Sequence, residues 1–515
     1  MVQTSDSTLN YNGKDAFITK ECADAYFGEI DTVPYPGIPT FRSTYDHTIE
    51  TYGPCMYMME RGIKVDREKL TEESKNVANR MEELGEEINV RCGQDINPNS
   101  PKDLQTYFYI KLGITPYTKL NTQKKSVITC DDKALQRLAR GTATRKGLPE
   151  ARLIQEWKGL SKLRGTYLEI TFDTDNRLRC SYNPRGTRFG RLSSSKTIFD
   201  TGMNMQNLDP RFLGFLVADE DCLFIDIDKA GAEWVVMAYI TGDDAMISVI
   251  EQGLDPHVAT AAKMFGFSPE QIEEEDKLLG HHSDPILIKA ERMLVPWLRE
   301  AIENGVWLPR NMSMRQCAKK SNHGLNYDEG YRTFGLINEI TDKEAKTIIN
   351  FYHDTYPGIR KYFDTTVNKL QDNGRILTNL YGRPQRFLGK FESDLFKAAY
   401  SFVPQSTVGE LVNRGMCDIY YSKAKQLDKV EIMRQVHDSI TVQVPLNGEY
   451  LGSNIIEMVR LLNPTLKAGA REFEIGTDIK IGFDLKNMIE VPIASDPVTQ
   501  TTLIRNATDG LERSW

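Results

Sequence analysis

No run of apolar residues in this chain approaches the roughly 20 needed to span a bilayer, and the segment from Met1 to Asp15 lacks the basic-then-apolar order of a secretion signal. These absences argue against a helical membrane protein and predict an intracellular one, in a host or bacterial cytoplasm. Paired cysteines are missing too. The eight thiols (Cys22, Cys55, Cys92, Cys130, Cys180, Cys222, Cys317, Cys417) are scattered, with no C-x-x-C pair. Their spacing indicates neither a disulfide framework nor a zinc site, so they read as reduced, mostly packed thiols. Internal repeats and low-complexity tracts are absent. So is a surplus of positive charge: the formal net charge of −8 would by itself argue against a nucleic-acid partner, because phosphate binding needs Lys and Arg.

What is present outweighs that sum. With 515 residues, 40% hydrophobic and 26% charged, the chain is long enough for two or three packed units. Between about Lys119 and Arg164, basic residues (Lys124, Lys125, Arg137, Arg140, Arg145, Lys146, Arg152, Lys158, Lys162) outnumber acids, whereas Glu270 to Asp276 is an acidic block. The first segment could track a phosphate backbone; the second should avoid one.

Pro34, Pro36, Gly37 and Pro39 among polar residues predict an extended linker over 29–48, after a short N-terminal helix. Arg67 to Arg91, opened by Asp66 as an N-cap, reads as one long helix, with further helices to about Leu163. Cys222 to Asp228 alternates like a strand, and Ala232 to Ile240 is apolar enough for a buried helix. Ile432 to Val436 and Ile440 to Val444 read as a hairpin with His437, Asp438 and Ser439 at its tip.

Phosphoryl transfer commonly uses two divalent ions roughly 3.5 to 4 Å apart, held by carboxylates. Asp228, at a strand end, and Asp438, at a hairpin tip, are candidates for holding them. Asp226 alternates onto the same strand face as Asp228 and competes with it, and each acid alone also reads as a cap or turn residue. A second element gives them company. At roughly 100° per residue, helical positions four apart drift by only about 40°, so Arg315, Lys319, His323 and Tyr327 form one gently curving stripe. Two cations followed by two rings could grip a triphosphate and stack on a base. A solvated amphipathic helix with inward rings reads the same pattern without function.

These residues resemble family A DNA polymerases, the group related to bacterial DNA polymerase I, from about Tyr52 to about Phe483. Asp228-Lys-Ala-Gly-Ala-Glu233-Trp is similar to motif A, Arg315 to Tyr327 to motif B, and Val436-His437-Asp438-Ser439 to motif C. Gly190 to Ser195 and Asn204-Met-Gln206-Asn207-Leu208 resemble the segment that touches the primer-template duplex. The resemblance selects Asp228 over Asp226, because the family's metal-binding Asp precedes a Glu by five positions, here Glu233.

By position, the resemblance implies two Mg2+ ions on Asp228 and Asp438. Arg315, Lys319 and His257 would contact the incoming triphosphate, with His323 and Tyr327 bordering its sugar and base. Glu233 would be a steric gate against a 2′-hydroxyl. Arg191, Asn204, Gln206, Asn207, Gln405 and His437 would lie along the DNA, most of them at the minor-groove edge of the nascent pair. Donors there test pair shape without reading sequence.

The implied fold is α+β, a right-hand polymerase with an antiparallel palm sheet, a helical thumb and helical fingers. Its expected divisions are 1–55 as an N-terminal remnant or fragment of a 3′ to 5′ exonuclease domain plus linker, 56–165 as thumb, 166–244 as first part of the palm, 245–350 as fingers, and 351–515 as second part of the palm and C-terminal tail. The expected partners are primer-template DNA, dNTPs and a separate exonuclease subunit or processivity factor, in a viral or phage type of enzyme replicating a genome.

The chain departs from the family pattern in several places. It has His323 where Phe or Tyr is usual, Asp328 where Gly follows the motif B Tyr, Gly231 where Gln is usual, and Ser439 where Glu often stands. Gln271 to Asn311 carries extra residues, expected to be helical around Ile286 to Ile302. Only about 50 residues precede the thumb, too few for the family's exonuclease. Yet Tyr11 and Asp15, one helical turn apart, resemble its last motif, with no Asp-x-Glu before them. A vestigial helix, a piece completed by another polypeptide and an ordinary surface helix all remain open. The rival functions are a single-subunit RNA polymerase and a catalytically silent DNA-binding replication factor.

Overall fold

The computed structural model describes residues 5–121, 125–141, 145–280, 284–338 and 340–511, without the side chains of residues 5–12, 120, 140 and 336. An N-terminal helix, α1 (Ser5–Ile30), is long rather than short, and the proline-rich connection after it ends at α2 (Arg42–Arg61). The linker is therefore shorter than the sequence suggests. Residues 42–48 look polar, but they are the first turns of a helix that buries His47, Thr51, Cys55 and Met58.

The next helix is α3 (Arg67–Cys92), which starts where its sequence says it should: the Asp66 carboxylate accepts from Lys69 N at 2.9 Å. It runs beside α4 (Pro149–Leu163). Between them a small separate core forms around Ile88, Leu104, Phe108, Leu135 and Ile154. A two-stranded hairpin, Thr118–Leu120 with Ser126–Ile128, interrupts this otherwise helical arm.

The centre of the molecule is an antiparallel five-stranded sheet. Its strands are β1 (Cys222–Lys229), β2 (Glu431–Val436), β3 (Ser439–Pro445), β4 (Thr477–Gly482) and β5 (Ile489–Val491), in the order β2-β3-β1-β4-β5. Alternation fixes its two faces. On one, Ile225 and Ile227 of β1 lie opposite Val442 and Ile440 of β3 and Ile481 and Ile479 of β4, all fully or almost fully buried. On the other, Asp228 lies opposite Ser439 and Asp478, and Asp226 opposite Thr441 and Lys480. A one-residue slip would drive these acids into the core, so the hydrophobic pattern dictates which acids face outwards.

From β1 the chain turns at Gly231 (φ 56) directly into the buried α5 (Ala232–Thr241). Further helices follow: α6 (Pro256–Phe265), α7 (Pro269–Leu279), α8 (Pro285–Leu294), α9 (Pro296–Glu303) and α10 (Met314–Leu325). The segment expected to be helical around 286–302 is helical, as two helices. Pro296 cannot donate to the ladder and starts the second one. The long, largely buried α11 (Ser393–Tyr421) then packs against both α2 and α5. Among the described residues, no helix is long and apolar enough to cross a membrane. The cysteines are unpaired, six of them buried, as their scatter predicts.

Candidate active site

A cavity of about 660 Å³ opens between the acidic face of the sheet and α10. Asp228, Asp438, Glu233, His257, Lys319, His323 and Tyr327 all line it. Asp228 is the last residue but one of β1; Asp438 sits in the turn between β2 and β3, its carbonyl accepting from Lys229 N at 3.3 Å. Residues far apart in sequence thereby meet at one end of the sheet's strands. Burial, then the charge of Asp438, then that of Asp226 push the Asp228 carboxyl up to about 7. Asp438 is raised as well, chiefly by burial. Two crowded, partly desolvated carboxylates form a donor set suited to a hard divalent ion such as Mg2+. Asp226 is turned to another use, accepting from the Thr441 hydroxyl.

Glu233 stands in the first turn of α5, aimed into the cavity by the Gly231 turn. Both its oxygens are engaged: Oε1 accepts from Arg191 and Oε2 from the Tyr327 hydroxyl. Tyr327 is not on the helical stripe. The helix α10 ends at Leu325, and Tyr327 reaches Glu233 from the turn beyond it, its ring 6.3 Å from that of His323. The next residue, Asp328, has φ 59. That left-handed backbone explains why Gly is the easier residue there and why Asp, one of the few others that tolerate it, can replace it.

Lys319 and His323 are exposed on the cavity side of α10. Arg315 is not on the cavity wall; its guanidinium is held by Asp255 at 2.6 Å and Asp276 at 3.5 Å. Burial depresses His257 to about 4, and its Nδ1 lies 3.0 Å from Asn322 Nδ2. Sequence reading missed Asp255 and Asn322. Asp255 carried a legible signal, an Asp before Pro at a helix start, and it caps α6 through His257 N and Val258 N. Asn322 shares the helix side of Lys319 and His323 but has no distinguishing pattern.

His437 is exposed and held at φ 51 in the turn between β2 and β3. Gln206 donates to Gln435 Oε1 at 3.1 Å, and Gln435 donates to the His437 carbonyl at 2.7 Å. These hydrogen bonds make the buried Gln435 a third residue that sequence reading missed. Asn204 accepts from Ser194 Oγ at 2.7 Å, while Asn207 is exposed. Gln405 is partly buried on α11. Asp15 is exposed on α1, where its carbonyl accepts from Thr19; the side chain of Tyr11 lies outside the described residues.

Comparison with known proteins agrees with this architecture. A DNA polymerase I of Chloroflexus aurantiacus is 26% identical over 75% of this chain and 37% of its own length. One from Streptococcus pneumoniae serotype 4 is 28% identical over 79% and 42%. The chain thus spans about two fifths of these relatives, whose bacterial sources give no support to the expected viral type. A solved structure, the polymerase domain of Pol1 from M. smegmatis in complex with DNA primer-template and dNTP, superposes with a TM-score of 0.66 at 19% identity, covering 85% of this chain and 70% of that one. The fold is the α+β right-hand polymerase fold. A family model matches residues 67–278 and 309–479, leaving out the segment that contains α8 and α9. The chain belongs to DNA polymerase family A.

Proposed function

We propose that this chain is a template-directed DNA polymerase that extends a primer 3′-hydroxyl with dNTPs by a two-metal-ion mechanism, in genome replication. One observation carries the reading: Asp228 of β1 and Asp438 of the β2–β3 turn share the floor of a cavity whose other wall is the cation-bearing α10. In this reading 56–165 is the thumb, 166–244 and 351–515 form the palm, and 245–350 the fingers.

Asp228 and Asp438 would hold two Mg2+ ions, which when bound neutralise charge at the attacking and leaving oxygens of the α-phosphate. Lys319, exposed at the cavity wall, neutralises the departing pyrophosphate. His257, kept neutral by burial, donates or accepts a hydrogen bond beside the triphosphate without adding charge. Arg315 reaches the triphosphate by exchanging Asp255 and Asp276 for phosphate oxygens, which ties nucleotide arrival to a rearrangement of α6 and α7. Glu233, fixed from both sides, fills the space of a 2′-hydroxyl. His323 and Tyr327 border sugar and base. Arg191, Asn204, Gln206, Asn207, Gln405 and His437 track the duplex. The Tyr11–Asp15 spacing supports a separate 3′ to 5′ exonuclease subunit as a partner.

Primer extension on a primed template tests the reading. The chain should add dNTPs in the presence of Mg2+ and far fewer rNTPs, and Asp228→Ala should abolish both. Efficient rNTP polymerisation without a primer would make it an RNA polymerase. Extension that survives Asp228→Ala would overturn the site.

A further inference from the structure

The nitrogens of His47 are an anomaly. His47 lies on α2 with its side chain only 3% exposed, and neither Nδ1 nor Nε2 has a hydrogen-bond partner. A buried imidazole left with two unpaired nitrogens is costly, and native structures rarely keep one without a purpose. One turn further along the same face is Glu50, whose Oε2 stands 3.7 Å from Nδ1, beyond hydrogen-bonding distance. From the opposing helix α11, the buried Cys417 presents its Sγ to the same space, with only a long contact to Thr51 Oγ1 at 3.8 Å. One donor atom from each of His47, Glu50 and Cys417 lies within 4.8 Å of the others.

From this geometry we infer that His47, Glu50 and Cys417 form a zinc site that clamps α2 onto α11, away from the polymerase cavity. The donor set is a nitrogen, a sulfur and an oxygen, the mixture that Zn2+ accepts and Mg2+ or Ca2+ does not. A tetrahedral zinc ion with ligands at roughly 2.0–2.3 Å holds its donors roughly 3.3–3.8 Å apart. Small side-chain rotations of Glu50, which is half exposed, and of Cys417 bring the three into that range. Three protein ligands leave a fourth position for water. Two guanidiniums lie near His47, those of Arg383 and Arg414, but both are paired with the buried Glu410 at 2.9 and 2.7 Å, which limits their repulsion of a cation. Cysteine spacing carried no hint of the site, because its ligands come from helices at opposite ends of the chain.

Cobalt provides the test. The full chain, freed of metal by chelation, is titrated with Co2+ and its near-ultraviolet absorbance followed. A thiolate ligand gives a charge-transfer band that a purely carboxylate site such as Asp228 with Asp438 does not. The expected result is one equivalent of Co2+ bound with that band, retained in Asp228→Asn, displaced by Zn2+, and lost in Cys417→Ser and His47→Gln. Glu50→Gln alters an exposed end of the cluster and leaves the fold intact; it should weaken Co2+ binding by roughly tenfold or more. Absence of the band in the unmodified chain, or a band undiminished in both Cys417→Ser and Glu50→Gln, overturns the inference.

Discussion

Glu233 does its work through the company it keeps. One oxygen is held by Arg191 and the other by Tyr327, so the carboxylate is fixed in orientation. Removing one hydrogen bond to a charged group typically costs about 1.5–3 kcal/mol. Tyr327→Phe keeps the ring and loses only that bond, and it should relax discrimination against rNTPs by roughly tenfold. The ratio of kcat/KM for dNTP and rNTP measures it; an unchanged ratio would mean that Arg191 alone fixes the gate. Asp228 offers a second test, by pH. An ordinary Asp titrates near 3.8, but burial and Asp438 raise this one to about 7. The folded state therefore holds the proton more tightly than the unfolded chain. The stability this gives is complete below about 3.8 and lost as pH rises through about 7. Asp228→Asn removes the charge, so it should stabilise the metal-free chain at pH 8, by up to about 4 kcal/mol, and by less at pH 5. Urea unfolding with a chelator present would register both.

The segment outside the family match supports the helix that follows it. Arg292 of α8 is buried, donates to the carbonyls of Pro309 and Met312, and pairs with the fully buried Glu275 of α7. Glu275 in turn accepts from Met314 N at 2.8 Å, at the start of α10. The added helices thus brace the N-terminus of the helix that carries Lys319 and His323. Arg292→Ala would leave a buried carboxylate without its partner, a loss of about 3–5 kcal/mol. It should lower the denaturation midpoint and raise KM for dNTP more than it lowers kcat. The acidic block was legible as a block, but not as a brace, because its partner Arg292 lies beyond the helix that carries it. The same limit operates elsewhere. Strands β1, β2 and β3 were readable because each is a short local run rich in β-formers, alternating in the second half of β1 and in β3, and with them came Asp228 and Asp438. The start of α2 was not, since what makes residues 42–48 helical is packing that involves α11, remote in sequence. Arg315 was placed on a stripe by helical spacing, yet its rotamer is set by Asp255 and Asp276, which no periodicity in α10 could reveal.

Across the whole molecule, the net charge of −8 conceals how basic residues are spent. Within the helical arm, Lys119 pairs with Asp131 at 3.2 Å, Arg164 with Glu169 at 2.7 Å, and Lys158 donates to the Pro98 carbonyl at 3.4 Å. Arg152 goes further and bridges the arm to the added segment, meeting Asp284 at 2.8 Å. Half-exposed pairs of this kind contribute little to stability, about 0–1 kcal/mol, but a pair joining two parts of the molecule keeps its cation from any phosphate. If the arm grips duplex as a thumb does, releasing Arg152 adds one phosphate contact. Asp284→Asn is the clean probe, because Asp284 also caps α8 through Ile286 N and Asn caps a helix equally well. The variant should unfold within about 0.5 kcal/mol of the parent. It should bind primer-template more tightly at low salt, with a log–log salt slope steeper by about one. Equal affinity and an equal slope would mean that Arg152 faces away from the DNA and that the bridge only sets the spacing between arm and added helices.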